Sequence, residues 1–330
     1  MPAGGTLVIQ TAFLGDVVLT TGLLSALAAR FGPVDVLVTP AAEPLLATHR
    51  AVNAVLTYDK KGRDRGPAAW WRLAGLLRAR QYARAYIPHR SLRSAGLARV
   101  AGIPIRIGFD GGTGSFLYTE RIARPLNGHE AERLLALARP KVGTRSDVHL
   151  ELTEDDRGAA YAWLASRGIG DGFVAVAPGS IWGTKRWPGY GELVRLLRGR
   201  IVVVGGPADQ AAAQAMLDAA PDRVASAAGA MPLRVSAAIL ERAGVLVTND
   251  SAPLHLASAT GTPTVAIFGP TVPRFGFGPR APRSAIVERT DLSCRPCSAH
   301  GPATCPLGHH RCMGEIPAST VRDTIHQLIG

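Results

Sequence analysis

Three short blocks of this chain bring together residue types that do chemistry. The first is Thr11-Ala12-Phe13-Leu14-Gly15-Asp16, which follows an apolar run and precedes a helical one beginning near Val17. A carboxylate there can cap the helix, and at the mouth of a cleft it can also act as a general base; the residues alone leave both roles open. The second is Pro178-Gly179-Ser180-Ile181-Trp182-Gly183-Thr184-Lys185-Arg186-Trp187-Pro188. Its glycines let backbone approach a phosphate, and Ser180, Thr184 and Lys185 supply donors and charge. It is not a Walker A loop, because three residues rather than four separate its glycines and Thr184 precedes the lysine. The third block is Thr248-Asn249-Asp250-Ser251-Ala252-Pro253-Leu254-His255-Leu256-Ala257. Asp250 or Ser251 can cap a helix there, with Pro253 tolerated in its first turn. The free N–H groups of such a helix start, Ala252 included, suit a diphosphate, and His255 lies one turn further in.

A fourth group is metallic in character. All four cysteines fall in Cys294-x2-Cys297-x7-Cys305-x6-Cys312, with His300, His309 and His310 between them. Four thiolates, or three and an imidazole, are soft ligands that would hold a structural zinc tetrahedrally, although the spacing is not that of a standard finger. A disulfide pair is the competing reading, disfavoured in a reducing compartment.

The elements that must position these blocks are legible as alternation. Leu7–Gln10, Val34–Val38, Val52–Leu56 and Ala83–Ile87 read as buried parallel strands, with helices such as Val17–Arg30 and Trp70–Arg80 between them. Phe173–Ala177, Ile201–Val204, Val245–Thr248 and Thr264–Phe268 repeat the scheme, separated by helices around Tyr190–Arg198, Ala208–Ala219 and Pro232–Arg242. The expected fold is α/β: two Rossmann-like, doubly wound domains, residues 1–155 and 156–330, facing a central cleft lined by the carboxyl ends of both sheets.

Length and charge agree with this. The 330 residues exceed one ordinary domain, and a 47% hydrophobic content excludes a disordered chain. The longest apolar stretch, Val17–Ala29, is broken by Thr and Ser, so an integral membrane protein is not expected; no basic segment at the N-terminus marks a secretory signal. The net charge is +12, and it is unevenly placed: residues 1–150 hold 20 basic and 10 acidic residues, the remainder 17 and 15. Arg outnumbers Lys 33 to 4, but that preference does not explain the asymmetry. The first domain therefore meets something anionic. A nucleic-acid partner is not expected, since the basic region lacks the interleaved aromatics of an RNA module. A Rossmann oxidoreductase lacks its Gly-x-Gly-x-x-Gly after the first strand.

Taken in order, Gly15-Asp16, Pro178-Gly179-Ser180 with Thr184-Lys185-Arg186-Trp187-Pro188, the Thr248–Ala257 block and Phe268-Gly269-Pro270-Thr271 resemble glycosyltransferase family 9, the bacterial ADP-heptose:lipopolysaccharide heptosyltransferases. Minor blocks agree: Asp59-Lys60-Lys61-Gly62, His89–Ser94 with Ala101-Gly102-Ile103-Pro104, and His129-Glu130 with Arg133. Within the family the heptosyltransferase II branch is the nearest match. The resemblance implies a GT-B fold and an inverting, metal-independent transfer of heptose from ADP-heptose to the lipopolysaccharide inner core. It implies Asp16 as general base and Lys185 as stabiliser of the diphosphate leaving group. Ser180, Thr184, Asp250, Ser251, Ala252 and His255 would join Lys185 in binding the donor. Lys60, Lys61, Arg63, Arg90 and Arg93 would meet an anionic glycolipid acceptor, with the enzyme cytoplasmic and peripheral on the inner membrane. No cofactor is required, and the cysteine cluster becomes a family loop. The last helix, about 318–330, is expected as a candidate to pack back on the first domain. Alternatives sharing the architecture are a transferase using another nucleotide sugar and surface glycan, and a nucleotide-sugar 2-epimerase.

Overall fold

The computed structural model describes residues 4–330; the first three, part of the N-terminal stretch read for a secretory signal, lie outside the described residues. The chain forms two compact units, Met1–Glu151 and Leu152–Gly330.

In the first unit the strands are β1 (Thr6–Ile9), β2 (Val34–Val38), β3 (Val52–Thr57), β4 (Arg84–Ile87), β5 (Ile105–Phe109) and β6 (Glu120–Ile122). The helices are α1 (Leu14–Phe31), α2 (Glu43–Leu46), α3 (Pro67–Ala79), α4 (Leu92–Val100) and α5 (Glu130–Leu135). The second unit contains β7 (Val174–Ala177), β8 (Ile201–Val203), β9 (Val224–Ser226), β10 (Val245–Asn249), β11 (Thr264–Phe268) and β12 (Ser284–Glu288). Its helices are α6 (Glu154–Ala165), α7 (Tyr190–Leu196), α8 (Gln210–Ala219), α9 (Leu233–Glu241), α10 (Ala252–Thr260), α11 (Arg311–Gly314) and α12 (Ala318–Ile329).

Both sheets are parallel and share one topology. The first runs β3-β2-β1-β4-β5-β6 and the second β12-β11-β10-β7-β8-β9, which is the same 3-2-1-4-5-6 order counted from the unit's own first strand. The order reverses between β1 and β4 (Leu7 beside Ala85) and between β7 and β10 (Val176 beside Val247). In doubly wound sheets ligands bind outside the carboxyl ends of strands at such reversals. The central strands read as unbroken apolar runs because helices cover both faces. β1, β2, β4, β7, β10 and β11 are buried at every residue.

Local signals set the helix ends. Thr153 and Asp156 cap α6 reciprocally: Thr153 Oγ1 accepts from the Asp156 N–H, and Asp156 Oδ2 accepts from the Thr153 N–H. Gly261, at φ +75°, ends α10 in a left-handed turn that only glycine enters freely. Helix α1 is long and apolar enough to cross a membrane by length and composition. It extends the apolar stretch Val17–Ala29 by three residues at its start, and ten of its residues are buried inside the first unit. Helix α12 packs on the core of the second unit. Ala318, Val321 and Ile325 enter the same core as Val194, Val203, Val247 and Ile267. Each fully buried Val or Ile contributes about 1.5–3 kcal/mol, which fixes the helix there.

Candidate active site

The first unit gathers its polar groups after β1 and β4, on either side of the reversal. Asp16 lies in the first turn of α1, not at the cap position; that place is held by Phe13. Asp16 Oδ2 accepts from the Phe13 N–H at 3.2 Å, while Oδ1 has no hydrogen-bond partner among the described residues. So the cap role and a free oxygen coexist in one carboxylate. Burial pushes the Asp16 carboxyl up to about 6; the Phe13 N–H opposes this, Glu130 adds to it and Arg124 lowers it. Glu130 is itself buried and paired with Arg124 and Arg133.

Across the reversal, His89 Nε2 lies 3.0 Å from Ser94 Oγ and 3.4 Å from Thr11 Oγ1. Burial, with Lys60 nearby, pushes its pKa down to about 4, so the ring is neutral at pH 7. Lys60 donates to the Thr11 carbonyl at 2.6 Å, tying the β3–α3 loop to the loop after β1. Asp59 shapes that loop by accepting from the Gly62 and Arg63 N–H groups. A Cβ at Gly62 would lie 2.4 Å from Asp59 Oδ2, so any larger residue there would push the Asp59 carboxylate aside. Lys61, Arg63, Arg90 and Arg93 are exposed, with Arg63 3.7 Å from Asp64. Of the five basic residues expected to meet the acceptor, Lys60 is thus half-buried and structural as well.

In the second unit the loop after β7 and the start of α10 meet across the reversal. Lys185 ends a tight turn, Gly183–Lys185, and its Nζ lies 2.6 Å from Asp250 Oδ2. The same oxygen accepts from Thr271 Oγ1 at 2.7 Å. Lys185, Asp250 and Thr184 are all buried. Asp250 therefore does not cap α10: it pairs with the lysine, and Ser251 takes the cap position without a side-chain hydrogen bond. Ser180 Oγ accepts from the Trp182 N–H and its carbonyl from Arg186. Ala252 opens α10. His255 is buried one turn in, its ring 6.2 Å from that of Phe277.

Two further groups position these loops, and only the second stands out in the sequence. Asn249, the last residue of β10, donates to the Pro178 carbonyl at 2.7 Å and accepts from the Trp187 N–H and Tyr190 hydroxyl. It stitches the Lys185 loop to β10, and its only signal was its place beside Asp250. The other is the cysteine-bearing segment. Thr184 Oγ1 donates to the Pro302 carbonyl, and His310 Nε2 donates to the Thr184 carbonyl at 2.8 Å. Arg295, between Cys294 and Cys297, donates to the Thr271 carbonyl at 3.0 Å and pairs with Glu288 at 2.6 Å. One loop thus fastens both the Thr184–Lys185 turn and Thr271. Within it Cys312 is buried, and burial followed by the Cys297 thiol pushes its own thiol up to about 11.

Among the described residues, the metal-capable group whose ligand atoms converge within 4.8 Å is a different one: His49, His149 and Glu151. The Ala51 N–H donates to His49 Nδ1, which puts the neutral ring's proton on Nε2, and Arg50 holds Glu151 at 3.2 Å. These contacts make it a polar tether for the segment before residue 152. A hundred residues separate its histidines, so no spacing signal announced it.

Residues 70–306 match the model of glycosyltransferase family 9 (heptosyltransferase). The chain is 26% identical to lipopolysaccharide heptosyltransferase 2 of Salmonella typhimurium, over 98% of each chain. Its fold is similar to that of a family 9 glycosyltransferase from Veillonella parvula, with a TM-score of 0.86 at 22% identity over 99% of this chain and 97% of that one. It is also similar to that of an E. coli heptosyltransferase solved with ADP-2-deoxy-2-fluoro heptose, with a TM-score of 0.71 at 21% identity over 98% and 99%. Two doubly wound sheets carrying polar loops at their reversals, on a chain whose middle 237 residues fit the family model, make this an enzyme of GT-B fold that belongs to glycosyltransferase family 9 (heptosyltransferase).

Proposed function

We propose that the chain transfers a heptose from ADP-heptose to the lipopolysaccharide inner core, with inversion and without a catalytic metal. The relatives' names supply the substrate class: one is a lipopolysaccharide heptosyltransferase, and another was solved with an ADP-heptose analogue. The observation that carries the mechanism is Asp16, a carboxyl raised to about 6 with one oxygen uncommitted at the reversal of the first sheet. A base poised near the working pH takes a proton most effectively. In the proposed step Asp16 accepts the acceptor hydroxyl's proton as its oxygen attacks the anomeric carbon. The bond from that carbon to the diphosphate breaks, and ADP leaves with the electron pair. Lys185, held by Asp250, whose carboxylate also accepts from the Thr271 hydroxyl, stabilises the departing charge; Ser180, Thr184 and the Ser251–Ala252 helix start bind the diphosphate, and His255 supports the sugar side.

The exposed cations Lys61, Arg63, Arg90 and Arg93, with Lys60 behind them, suit the carboxylates and phosphates of an anionic glycolipid at the cytoplasmic face of the inner membrane. The cysteine segment carries four soft donors of the kind zinc takes, but among the described residues no three of its ligand atoms converge within 4.8 Å, so zinc binding there would require the loop to draw in. There the ion would stiffen the clamp on Thr184 and Thr271, and no chemical step passes through it. The deciding experiment incubates the chain with ADP-heptose and a heptose-free inner-core acceptor and reads the new linkage by NMR. An inverted glycosidic product that forms only when acceptor is present supports the reading. Conversion of donor alone, or retained configuration, overturns it.

A further inference from the structure

The amino edge of the first sheet, the edge opposite Asp16, carries a pocket that the reaction does not use. β4 is four residues long, so Arg84 at its start lies about 10 Å of strand rise from Ile87 at the carboxyl edge. The pocket, of about 170 Å³, opens between the end of α1, the starts of β4 to β6 and the turn after α5. Its floor is apolar, formed by Ile107 and Leu137, and its polar wall is almost wholly cationic: Arg30, Arg84 and Arg139 against a single acid, Glu120.

Arg84 is the informative residue. It is 8% exposed, yet its guanidinium meets no carboxylate and makes no hydrogen bond among the described residues; it lies 4.0 Å over the Phe31 ring. Arg30 is likewise without an acid and sits 4.9 Å from the same ring. A buried guanidinium is ordinarily paired, because desolvating its charge is costly. Arg139 pairs with Glu120 at 3.0 Å but adopts φ +48°, where a non-glycine residue is strained. Tyr86 adds a hydroxyl whose pKa burial raises, so it remains a donor. Three guanidinia and one carboxylate leave two uncompensated positive charges around one small cavity.

We propose that this pocket binds a phosphate monoester, whose dianion matches the residual charge and whose oxygens accept forked guanidinium donors. Two sources share that chemistry, a soluble phosphate ester and the monoester headgroup of a lipid. The test uses the full chain with glycerol 3-phosphate as one probe and vesicles containing phosphatidic acid as the other, at constant ionic strength. Thermal stability and calorimetry read the first; vesicle flotation reads the second. Arg84→Met keeps the packing on Phe31 while removing the charge, and Arg30→Gln serves as a second, surface variant.

Saturable binding of either probe that weakens at least about tenfold in Arg84→Met and Arg30→Gln, and persists in the double variant Lys185→Met/Asp250→Leu, supports the site. Response to glycerol 3-phosphate assigns the soluble ester, and response to vesicles alone assigns the lipid. Failure of both probes, binding indifferent to Arg84 and Arg30, or binding lost in a folded Lys185→Met/Asp250→Leu chain overturns it.

Discussion

Asp16 and Asp250 occupy comparable places, each beside the strand-order reversal of its own sheet, and their surroundings differ in kind. Asp250 is buried against a lysine at 2.6 Å and a threonine hydroxyl at 2.7 Å. Asp16 has one backbone N–H at 3.2 Å and, among the described residues, no cation within pairing distance, and burial lifts it to about 6. Paired and hydrogen-bonded, a carboxylate is an anchor that orients its lysine. Desolvated with a vacant oxygen, it is a base. The same residue type on the same topology thus takes two roles, and the neighbours decide which.

Substitutions should separate the two carboxylates most sharply. Asp16→Asn should lower kcat by about 10²–10⁴ while leaving ADP affinity intact, measured by product formation and calorimetry. It should also raise stability at neutral pH. The folded carboxyl titrates near 6 and the unfolded one near 3.8, so stability falls as pH rises through that window. Removing the charge should restore about 1–3 kcal/mol at pH 7, a gain that disappears below pH 4 in urea titrations.

Lys185→Met should do the reverse, destabilising by about 3–5 kcal/mol because Asp250 is left buried without its partner. The double variant Lys185→Met/Asp250→Leu should recover most of that loss in the same titrations while remaining inactive. If the single and double variants unfold alike, the pair is not the anchor described here.

Smaller effects probe the edges of the comparison. Lys61→Gln with Arg63→Gln should raise the acceptor KM about thirtyfold and leave the donor KM unchanged, since each exposed cation adds about 1 kcal/mol near an anionic surface. The acid limb of the pH–rate profile should bend near 6, where Asp16 takes up its proton. A limb that stays flat down to pH 5 argues against Asp16 as base. Chelation of a zinc-loaded chain should lower Tm by a few degrees and reduce kcat through the Thr184–Lys185 clamp, without changing the product.

The central strands were legible because helices cover both faces of each sheet, leaving unbroken apolar runs such as Val174–Ala177 and residues 265–268. β5, β6, β9 and β12 give weaker signals: Arg106 and Gly108 interrupt β5, β9 has three residues, and β6 and β12 are partly buried edge strands carrying Glu120, Arg121 and Glu288. Helix α1 was placed late by three residues because Phe13, a poor cap by type, gives no start signal; Asp16 supplies the contact from within the helix. Among the loops, the local blocks around Asp16, Lys185 and Asp250 announced themselves, since glycine, hydroxyl, lysine and carboxylate residues fall within a few positions of one another.

By itself, then, the sequence determined the alternating α/β scheme, the loops that carry polar chemistry and the basic excess of the first 150 residues, all properties of local pattern and composition. Tertiary structure alone decided what those residues became. It set Asp250 against Lys185 across 65 positions, left Asp16 with a vacant oxygen, and put the cysteine segment behind Thr184. It also placed Arg30, Arg84 and Arg139 around one cavity, far from the loops to which the positive charge had been assigned. Pairing and desolvation depend on distances in space, and parallel crossovers bring together residues that spacing along the chain cannot relate.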